Sequence, residues 1–212
     1  MTRTRIKICG ITRVEDALHA AHAGADAIGL VFYNRSPRVV TIDEALAISS
    51  ALPPFVATVA LFVNAKAHEV QDVIVNLRPS MLQFHGDEEA SYCTQFGLPF
   101  LKAIRVGNGM TATDLLECRR QFQSARALLL DTLAATVYGG SGEVFNWNVI
   151  PEDVRRQVVL SGGLHAGNVA SAIRQIRPFA VDVSSGVELQ KGIKDHVKIA
   201  AFIEEARNAD AS

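Results

Sequence analysis

Two short stretches in the last third of the chain decide how it folds. Residues 158–163 read VVLSGG and residues 179–186 read FAVDVSSG, so an apolar run gives way to small residues at both places. Residues 166–177, between them, carry a helical pattern. Strands that end in glycine and serine loops let backbone N–H groups approach an anion closely. When strands 7 and 8 of an eightfold barrel end in this way, the loops form a phosphate site, so six strand–helix units must precede them.

The rest of the chain supplies those units. Eight short runs rich in Val, Ile, Leu or Phe are strand candidates, at residues 5–9, 27–32, 56–63, 81–84, 100–106, 127–130, 157–160 and 179–183. Helical patterns follow most of them, at residues 14–23, 42–52, 67–77, 88–96, 113–122, 166–176 and 195–207. The strand runs are mostly continuous rather than alternating, which is typical of strands covered on both faces. Parallel strands need such crossovers, and eight of them close a barrel without edges.

We therefore predict an α/β fold, a single (β/α)8 TIM barrel with parallel strands, as one catalytic domain over residues 1–212. The length of 212 residues lies near the lower limit for this fold. A doubly wound open sheet is the alternative. It is disfavoured because no Gly-rich dinucleotide turn follows the first strand. The sixth connection, residues 132–148, is long and glycine-bearing rather than helical.

Composition limits the class of protein. With 49% apolar and 20% charged residues, the chain can bury a large core. A formal net charge of −1 argues against bulk nucleic-acid binding. Cys9, Cys93 and Cys118 have no metal-like spacing and fit a reducing compartment. No apolar run approaches about 18 residues, so we expect a soluble cytoplasmic protein with no membrane or nucleic-acid partner and no metal site.

The first strand carries two candidate site residues. Lys7 and Cys9 are two residues apart and share one face of the strand, while Ile6 and Ile8 take the face toward the helices. An inward lysine is costly unless it is paired, so Lys7 either forms a buried ion pair with Asp182 or contacts substrate directly. Cys9 is either a small packing residue or a reactive group whose thiolate Lys7 favours.

Later strand ends carry further polar groups. Asp131 follows the apolar run Leu128–Leu130 and is either a proton donor or a loop cap. His85 ends the fourth strand, where it is either an acid–base group or a rim residue. The glycine-rich segment 138–142 and the aromatic segment 145–147 resemble a lid that could cover a bound ring.

Three basic residues near the predicted barrel mouth are also candidate site residues. Arg38, in a loop that Pro37 stiffens, could clamp a carboxylate bidentately. Lys102 and Arg105 lie on the fifth strand, where either could hold a neighbouring carboxylate instead of substrate.

These motifs together resemble the phosphoribosylanthranilate isomerase family of tryptophan biosynthesis. The matching stretches run in order along nearly the whole chain: KICGIT at 7–12, GLVF at 29–32, SPR at 36–38, QFHG at 83–86, LDT at 130–132, GGSG at 139–142, FNW at 145–147, SGGL at 161–164, VDVSSGVE at 181–188 and KGIKD at 191–195. Ser141 and Asn146 depart from the family pattern, where threonine and aspartate are common.

The resemblance implies an Amadori rearrangement without a cofactor, by general acid–base catalysis. Asp131 would act as the general acid and Cys9 as the general base. Arg38 would bind the anthranilate carboxylate. Lys7, His85 and Asp182 are further substrate-binding candidates.

The resemblance also assigns the phosphate-binding residues and the partners. The phosphate would lie on the small residues of the last two strand ends: Gly162, Gly163, Ser184, Ser185 and Gly186. The expected partner is a phosphorylated small-molecule substrate, and the chain would act as a monomer or homodimer.

Two alternatives stay open at this point. Another sugar-phosphate barrel enzyme, such as a related aminoaldose isomerase, an epimerase or an indole-glycerol-phosphate synthase, would keep the phosphate cradle but require other acid–base residues. A non-catalytic module could retain the barrel for assembly with another pathway enzyme. The pair Cys9 and Asp131 argues against both.

Overall fold

The computed structural model describes residues 3–107, 109–132 and 144–211 and confirms the predicted barrel. Eight parallel strands form a closed ring in chain order, β1 to β8. They are Arg5–Cys9, Ala27–Val31, Ala57–Phe62, Met81–Phe84, Phe100–Val106, Ala127–Thr132, Val158–Leu160 and Ala180–Val183. Every predicted strand is present, with ends that move by two residues at most.

Seven α-helices accompany these strands in the described ranges. They are α1 to α7, at Val14–Ala23, Ile42–Ala51, Ala67–Leu77, Ala90–Thr94, Ala112–Gln121, Ala166–Ile176 and His196–Ala211. Two 3-10 turns, Trp147–Val149 and Glu152–Gln157, precede β7 where the sequence predicts no helix. Within the described ranges, no helix is both long and apolar enough to cross a membrane.

The segment after β8 was not predicted from the sequence either. After β8 the chain makes a 3-10 turn, Ser185–Val187, and then a short antiparallel hairpin of β9 (Glu188–Gln190) and β10 (Ile193–Lys194). Strands of two and three residues leave too little periodicity to be recognised. The hairpin lies between the predicted phosphate loop and α7.

Alternation along the strands separates two layers of apolar packing. Ile6 and Ile8 face outward into the large cluster between strands and helices. Lys7 and Cys9, which alternate with them on β1, face inward, because successive side chains of a strand point to opposite faces. Leu101, Leu129 and Val159 belong to a separate cluster inside the barrel. Cys9 belongs to a third, near the C-terminal ends of the strands.

Helix caps fix where two of the helices begin. Thr41 and Glu44 form a capping box at the start of α2, and Thr111 and Asp114 form another at the start of α5. Each box satisfies two backbone N–H groups that the first helical turn leaves without a partner. Gly24 ends α1 in a left-handed conformation, with φ of 108°.

A buried carboxylate ties the first helix to the last. The Asp16 side chain is fully buried on α1 and accepts hydrogen bonds from Arg13 at 2.7 and 3.0 Å, from the backbone N–H of Lys194 at 3.1 Å and from His196 Nε2 at 3.0 Å. The His196 ring stacks on His19, with ring centroids 4.2 Å apart. Burial opposes ionisation of Asp16, but these donors hold the pKa of its carboxyl below the ordinary value.

We expect Asp16→Asn to lower the free energy of unfolding by about 3 kcal/mol at pH 7, because it leaves buried donors without their charged partner. A carboxyl whose folded-state pKa is lowered stabilises the fold above its unfolded-state pKa, and that stability is lost as the pH falls through the folded-state value. The difference in the free energy of unfolding between wild type and Asp16→Asn should therefore become smaller at acidic pH. Urea unfolding at several pH values measures it.

Asp43→Asn, on the exposed start of α2, is the matched control and should change stability by less than about 0.5 kcal/mol. An Asp16→Asn protein as stable as wild type at pH 7 would contradict the role of this carboxylate.

Candidate active site

The pairing of the first and last strands brings two predicted site residues together. The β1–β8 register sets Lys7 opposite Asp182, and Lys7 Nζ lies 2.8 Å from Asp182 Oδ1 with both side chains buried. Burial opposes the charge on Lys7, but the Asp182 carboxylate raises its pKa above the ordinary value. The buried ion pair that the sequence left open is therefore present, at the C-terminal half of the barrel interior.

Cys9 lies next to this pair, also inside the barrel. A Cβ atom on Gly29 would come within 2.6 Å of Cys9 Sγ and 3.1 Å of Lys7 Nζ, so the glycine makes room for both groups. Burial raises the pKa of the Cys9 thiol, and the nearby Lys7 ammonium opposes that shift only in part. Desolvation therefore outweighs the attraction of Lys7, which was the interaction that could favour the thiolate.

A chain of hydrogen bonds crosses the barrel interior to the predicted acid. Gln83 Nε2 lies 3.0 Å from His85 Nδ1, and His85 Nε2 lies 3.1 Å from Asp131 Oδ2. All three side chains are buried. His85 is therefore hydrogen-bonded to the carboxyl group of Asp131.

The chain allows two proton arrangements. If the Gln83 amide N–H donates to Nδ1, His85 Nε2–H donates to an ionised Asp131. If the amide turns over, its oxygen accepts from Nδ1–H and Nε2 accepts the proton of a neutral Asp131. Gln83 Oε1 is buried without a hydrogen-bond partner among the described residues.

Asp131 is held against the seventh strand end. Its Oδ1 accepts the backbone N–H of Thr132 at 2.9 Å. A Cβ on Gly162 would meet Thr132 at 2.3 Å and Asp131 Oδ1 at 3.0 Å. Gly162 therefore brings the predicted phosphate loop into contact with the predicted acid, which no larger residue would allow.

The two small-residue loops meet as the sequence predicted. Gly162 and Gly163 both have left-handed backbone, with φ of 81° and 65°. A Cβ on Gly186 would lie 1.9 Å from the carbonyl oxygen of Leu164, so the loops after β7 and β8 touch through bare backbone. Consecutive left-handed or irregular residues turn N–H groups toward one side, which suits an anion.

The second of these loops is oriented by a buried lysine. Lys194 Nζ donates to the carbonyl oxygen of Ser184 at 3.1 Å. Since C=O and N–H point opposite ways across a trans peptide, this bond directs the N–H of Ser185 away from Lys194. The peptide planes of the predicted phosphate loop are thereby fixed.

Arg38 lies beside the cysteine but is already paired. Its Nε and Nη2 donate to Glu188 Oε1 and Oε2 at 2.7 and 2.9 Å, and Lys194 Nζ lies 3.1 Å from the same Oε1. Burial opposes ionisation of Glu188, but the two cations hold its pKa below the ordinary value. The Arg38 stem covers Gly10, where a Cβ would come within 2.5 Å of it.

The sequence left two roles open for the basic residues of the fifth strand. Lys102 is buried and points out of the barrel, because it pairs with Glu88 at 2.8 Å and lies over the Phe122 ring. Arg105 pairs with Asp87. Both therefore hold carboxylates, which was the alternative to substrate contact.

The proposed lid is only partly described. Its glycine segment, residues 138–142, lies outside the described residues. Phe145 is buried in the cluster between strands and helices, and Trp147 packs against the same cluster. The prediction that these rings cover a ligand is therefore wrong for Phe145, whose place is in the core. Asn146 accepts a hydrogen bond from the N–H of Asn148 and so caps the 3-10 turn.

Sequence reasoning missed Glu188, Lys194 and Gly29 as parts of this site. Glu188 and Lys194 lie in the quoted motifs, but nothing in their spacing indicates that a hairpin folds them back onto Arg38. The signal that could have found Glu188 is its place two residues beyond Gly186, on the same loop.

The arrangement is suited to proton transfer on a phosphorylated sugar. A thiol and a carboxyl group are buried at the C-terminal ends of β1 and β6, and the glycine loops after β7 and β8 lie between these two strands in the order of the ring. Across the described ranges, no cluster of three or more His, Cys, Asp or Glu side chains could hold a metal ion.

Comparison with known proteins agrees with the geometry. Residues 6–205 match the family model described as N-(5'-phosphoribosyl)anthranilate isomerase. An N-(5'-phosphoribosyl)anthranilate isomerase from Pseudomonas syringae pv. tomato is 54% identical over 203 residues, which cover 96% of this chain and 97% of that protein.

Solved structures give the same result. A phosphoribosylanthranilate isomerase in complex with reduced 1-(o-carboxyphenylamino)-1-deoxyribulose 5-phosphate superimposes with a TM-score of 0.84 at 40% identity, over 97% of this chain and 99% of that one. Monomers of the dimeric enzyme from Thermotoga maritima superimpose with a TM-score of 0.84 at 39% identity, over 97% and 99%. With the family model spanning nearly the whole barrel, this chain belongs to the N-(5'-phosphoribosyl)anthranilate isomerase family.

Proposed function

We propose that the chain, acting as one barrel domain, isomerises N-(5-phosphoribosyl)anthranilate to 1-(2-carboxyphenylamino)-1-deoxyribulose 5-phosphate in tryptophan biosynthesis. The observation that carries the proposal is the placement of Cys9 and Asp131. Both face the barrel interior at its C-terminal end, from strands that lie three places apart around the ring. The product analogue bound in a 40% identical relative has the carboxylate, open sugar chain and phosphate that this site would accommodate.

The reaction divides into two proton transfers. Asp131, in its acid form, donates a proton to the ribose ring oxygen as the C1–O bond breaks and the anilino nitrogen forms an iminium ion. The iminium acidifies the hydrogen on C2, and the Cys9 thiolate removes it to give an enolamine. The enolamine tautomerises to the ketone. No electrons enter or leave, so the chemistry requires no redox cofactor.

The raised pKa of Cys9 shapes this mechanism. In the reactive form of the site, Asp131 carries a proton and acts as the acid, while Cys9 is deprotonated and acts as the base. Burial opposes ionisation of the Cys9 thiol and raises its pKa. The positive charge that develops on the substrate, together with Lys7 beside Cys9, would favour the thiolate at the step where it is required.

The decisive assay follows the fluorescence change as the phosphoribosyl adduct of anthranilate, generated in situ, is consumed by the purified chain. Turnover supports the isomerase. Absence of turnover by a folded protein would instead favour the non-catalytic module.

Asp131→Asn should reduce turnover to a few per cent or less, since an amide cannot protonate the ring oxygen and one general acid contributes about 10²–10⁴-fold. The same assay measures it. Asp153→Asn, on an exposed 3-10 turn, is the matched control and should leave turnover unchanged. Substantial residual activity in Asp131→Asn would remove this residue as the acid.

Cys9→Ala should abolish turnover while inorganic phosphate still binds as a competitive ligand, because Cys9 lies on β1 and not in either glycine loop. Difference spectra between wild type and Cys9→Ala should place the thiolate transition above the ordinary range of a free cysteine, since burial raises this pKa. Cys118→Ala, half-buried on α5, is the control. Collapse of phosphate affinity together with rate would make Cys9 a structural residue.

We propose a homodimer, as described for the Thermotoga relative. Support comes from Phe55, which is fully exposed in the loop before β3 and has left-handed backbone with φ of 71°. Full exposure of a large aromatic side chain is unfavourable in a free monomer and would be relieved if a second copy covered the ring.

Phe55→Asn should shift the particle mass from twice the 22.9 kDa chain mass to the chain mass itself, as measured by sedimentation. Asparagine tolerates the left-handed backbone, so the fold should not be disturbed. Val75→Ala, at an exposed apolar position on α3, is the control. A wild-type protein that sediments as a monomer would refute the dimer.

A further inference from the structure

The hairpin that follows β8 is joined to the Arg38 loop at several points. Glu188 Oε1 and Oε2 bind Arg38, and a Cβ on Gly192 would come within 2.8 Å of the Pro37 carbonyl oxygen. Thr12, in the loop after β1, donates its hydroxyl to the carbonyl oxygen of Gly192. The hairpin thus contacts both loops that flank Cys9.

Groups on the hairpin and on α7 hold Glu188 in place. The hairpin register sets Lys194 opposite Glu188, and Lys194 Nζ lies 3.1 Å from Glu188 Oε1. The backbone N–H of Gly192 lies 3.4 Å from the same oxygen. Lys198 Nζ donates to the backbone carbonyl oxygen of Glu188 at 2.8 Å. A carboxylate with this many partners holds one orientation.

The guanidinium of Arg38 is used on only one edge. Glu188 occupies the edge formed by Nε and Nη2. Nη1 makes no hydrogen bond or ion pair to another described residue, so the edge formed by Nη1 and Nη2 is open to a ligand. A guanidinium binds two carboxylates in one plane, one on each edge, because its donors form a rigid fork.

We propose that Glu188 is a positioning residue that aims the open edge of Arg38 at the substrate carboxylate, with Lys194 and the hairpin turn holding Glu188 in place. This inference rests on the proposed function. Glu188 contacts no reacting atom; it acts through Arg38. The alternative is that Glu188 competes with substrate for the arginine, and the two roles predict opposite changes in KM.

Glu188→Asp tests the proposal because it keeps the charge of the cluster but shortens the side chain, so both bonds to Arg38 cannot persist. We expect KM to rise by about tenfold while kcat changes by less than about threefold, since only carboxylate binding is weakened. The affinity for inorganic phosphate, measured as a competitive inhibitor, should not change. Glu205→Asp, exposed on α7, is the matched control.

A double-mutant cycle with Arg38→Ala measures the coupling between Glu188 and Arg38. Arg38→Ala alone should raise KM, and adding Glu188→Asp should then have no further effect. An equal rise in KM with and without Arg38 would overturn the proposal, as would an unchanged KM in Glu188→Asp.

Two further results separate the possible failures. Should Glu188→Asp not fold, Glu188→Gln serves instead and should also raise KM; a lowered KM in either variant would identify Glu188 as a competitor and overturn the positioning role. Wild-type protein without turnover would refute the isomerase itself, whereas active wild type with an unaltered Glu188 variant refutes only this inference.

Discussion

Closure of the strand ring is the constraint on which the rest of the molecule depends. Only when β8 pairs with β1 do Lys7 and Asp182, 175 positions apart in the chain, lie 2.8 Å from each other. Each of these buried charges would be strongly unfavourable without the other. The same closure brings α1 against α7, where Asp16 binds groups from both ends of the chain. Folding and assembly of the site are therefore one event.

The barrel could be predicted from the sequence because its signal is local and repeated. Continuous apolar runs followed by helical periodicity gave all eight strands, and a strand's alternation correctly separated Lys7 and Cys9 from Ile6 and Ile8. The hairpin after β8 escaped prediction because its strands are too short to show a period.

The sequence indicated the members of the candidate site but not the contacts between them. Strand ends indicated Asp131, His85 and the glycine loops, yet their partners depend on distances between remote strands. The ionisation of Cys9 illustrates the limit. Sequence adjacency to Lys7 suggested a thiolate, whereas the balance between burial and attraction, which only the fold determines, favours the thiol.

The contact between Gly186 and the Leu164 carbonyl has a consequence for the intermediate of the proposed reaction. Because the two glycine loops are locked together, their amides need no rearrangement before an anion arrives, so little ordering entropy is lost on binding. Once the sugar ring opens, the intermediate has a flexible open chain, which would sample many conformations if it were free in solution. In the proposed binding mode, phosphate at one end and carboxylate at the other would hold the open chain extended, and C2 would stay within reach of the Cys9 sulfur.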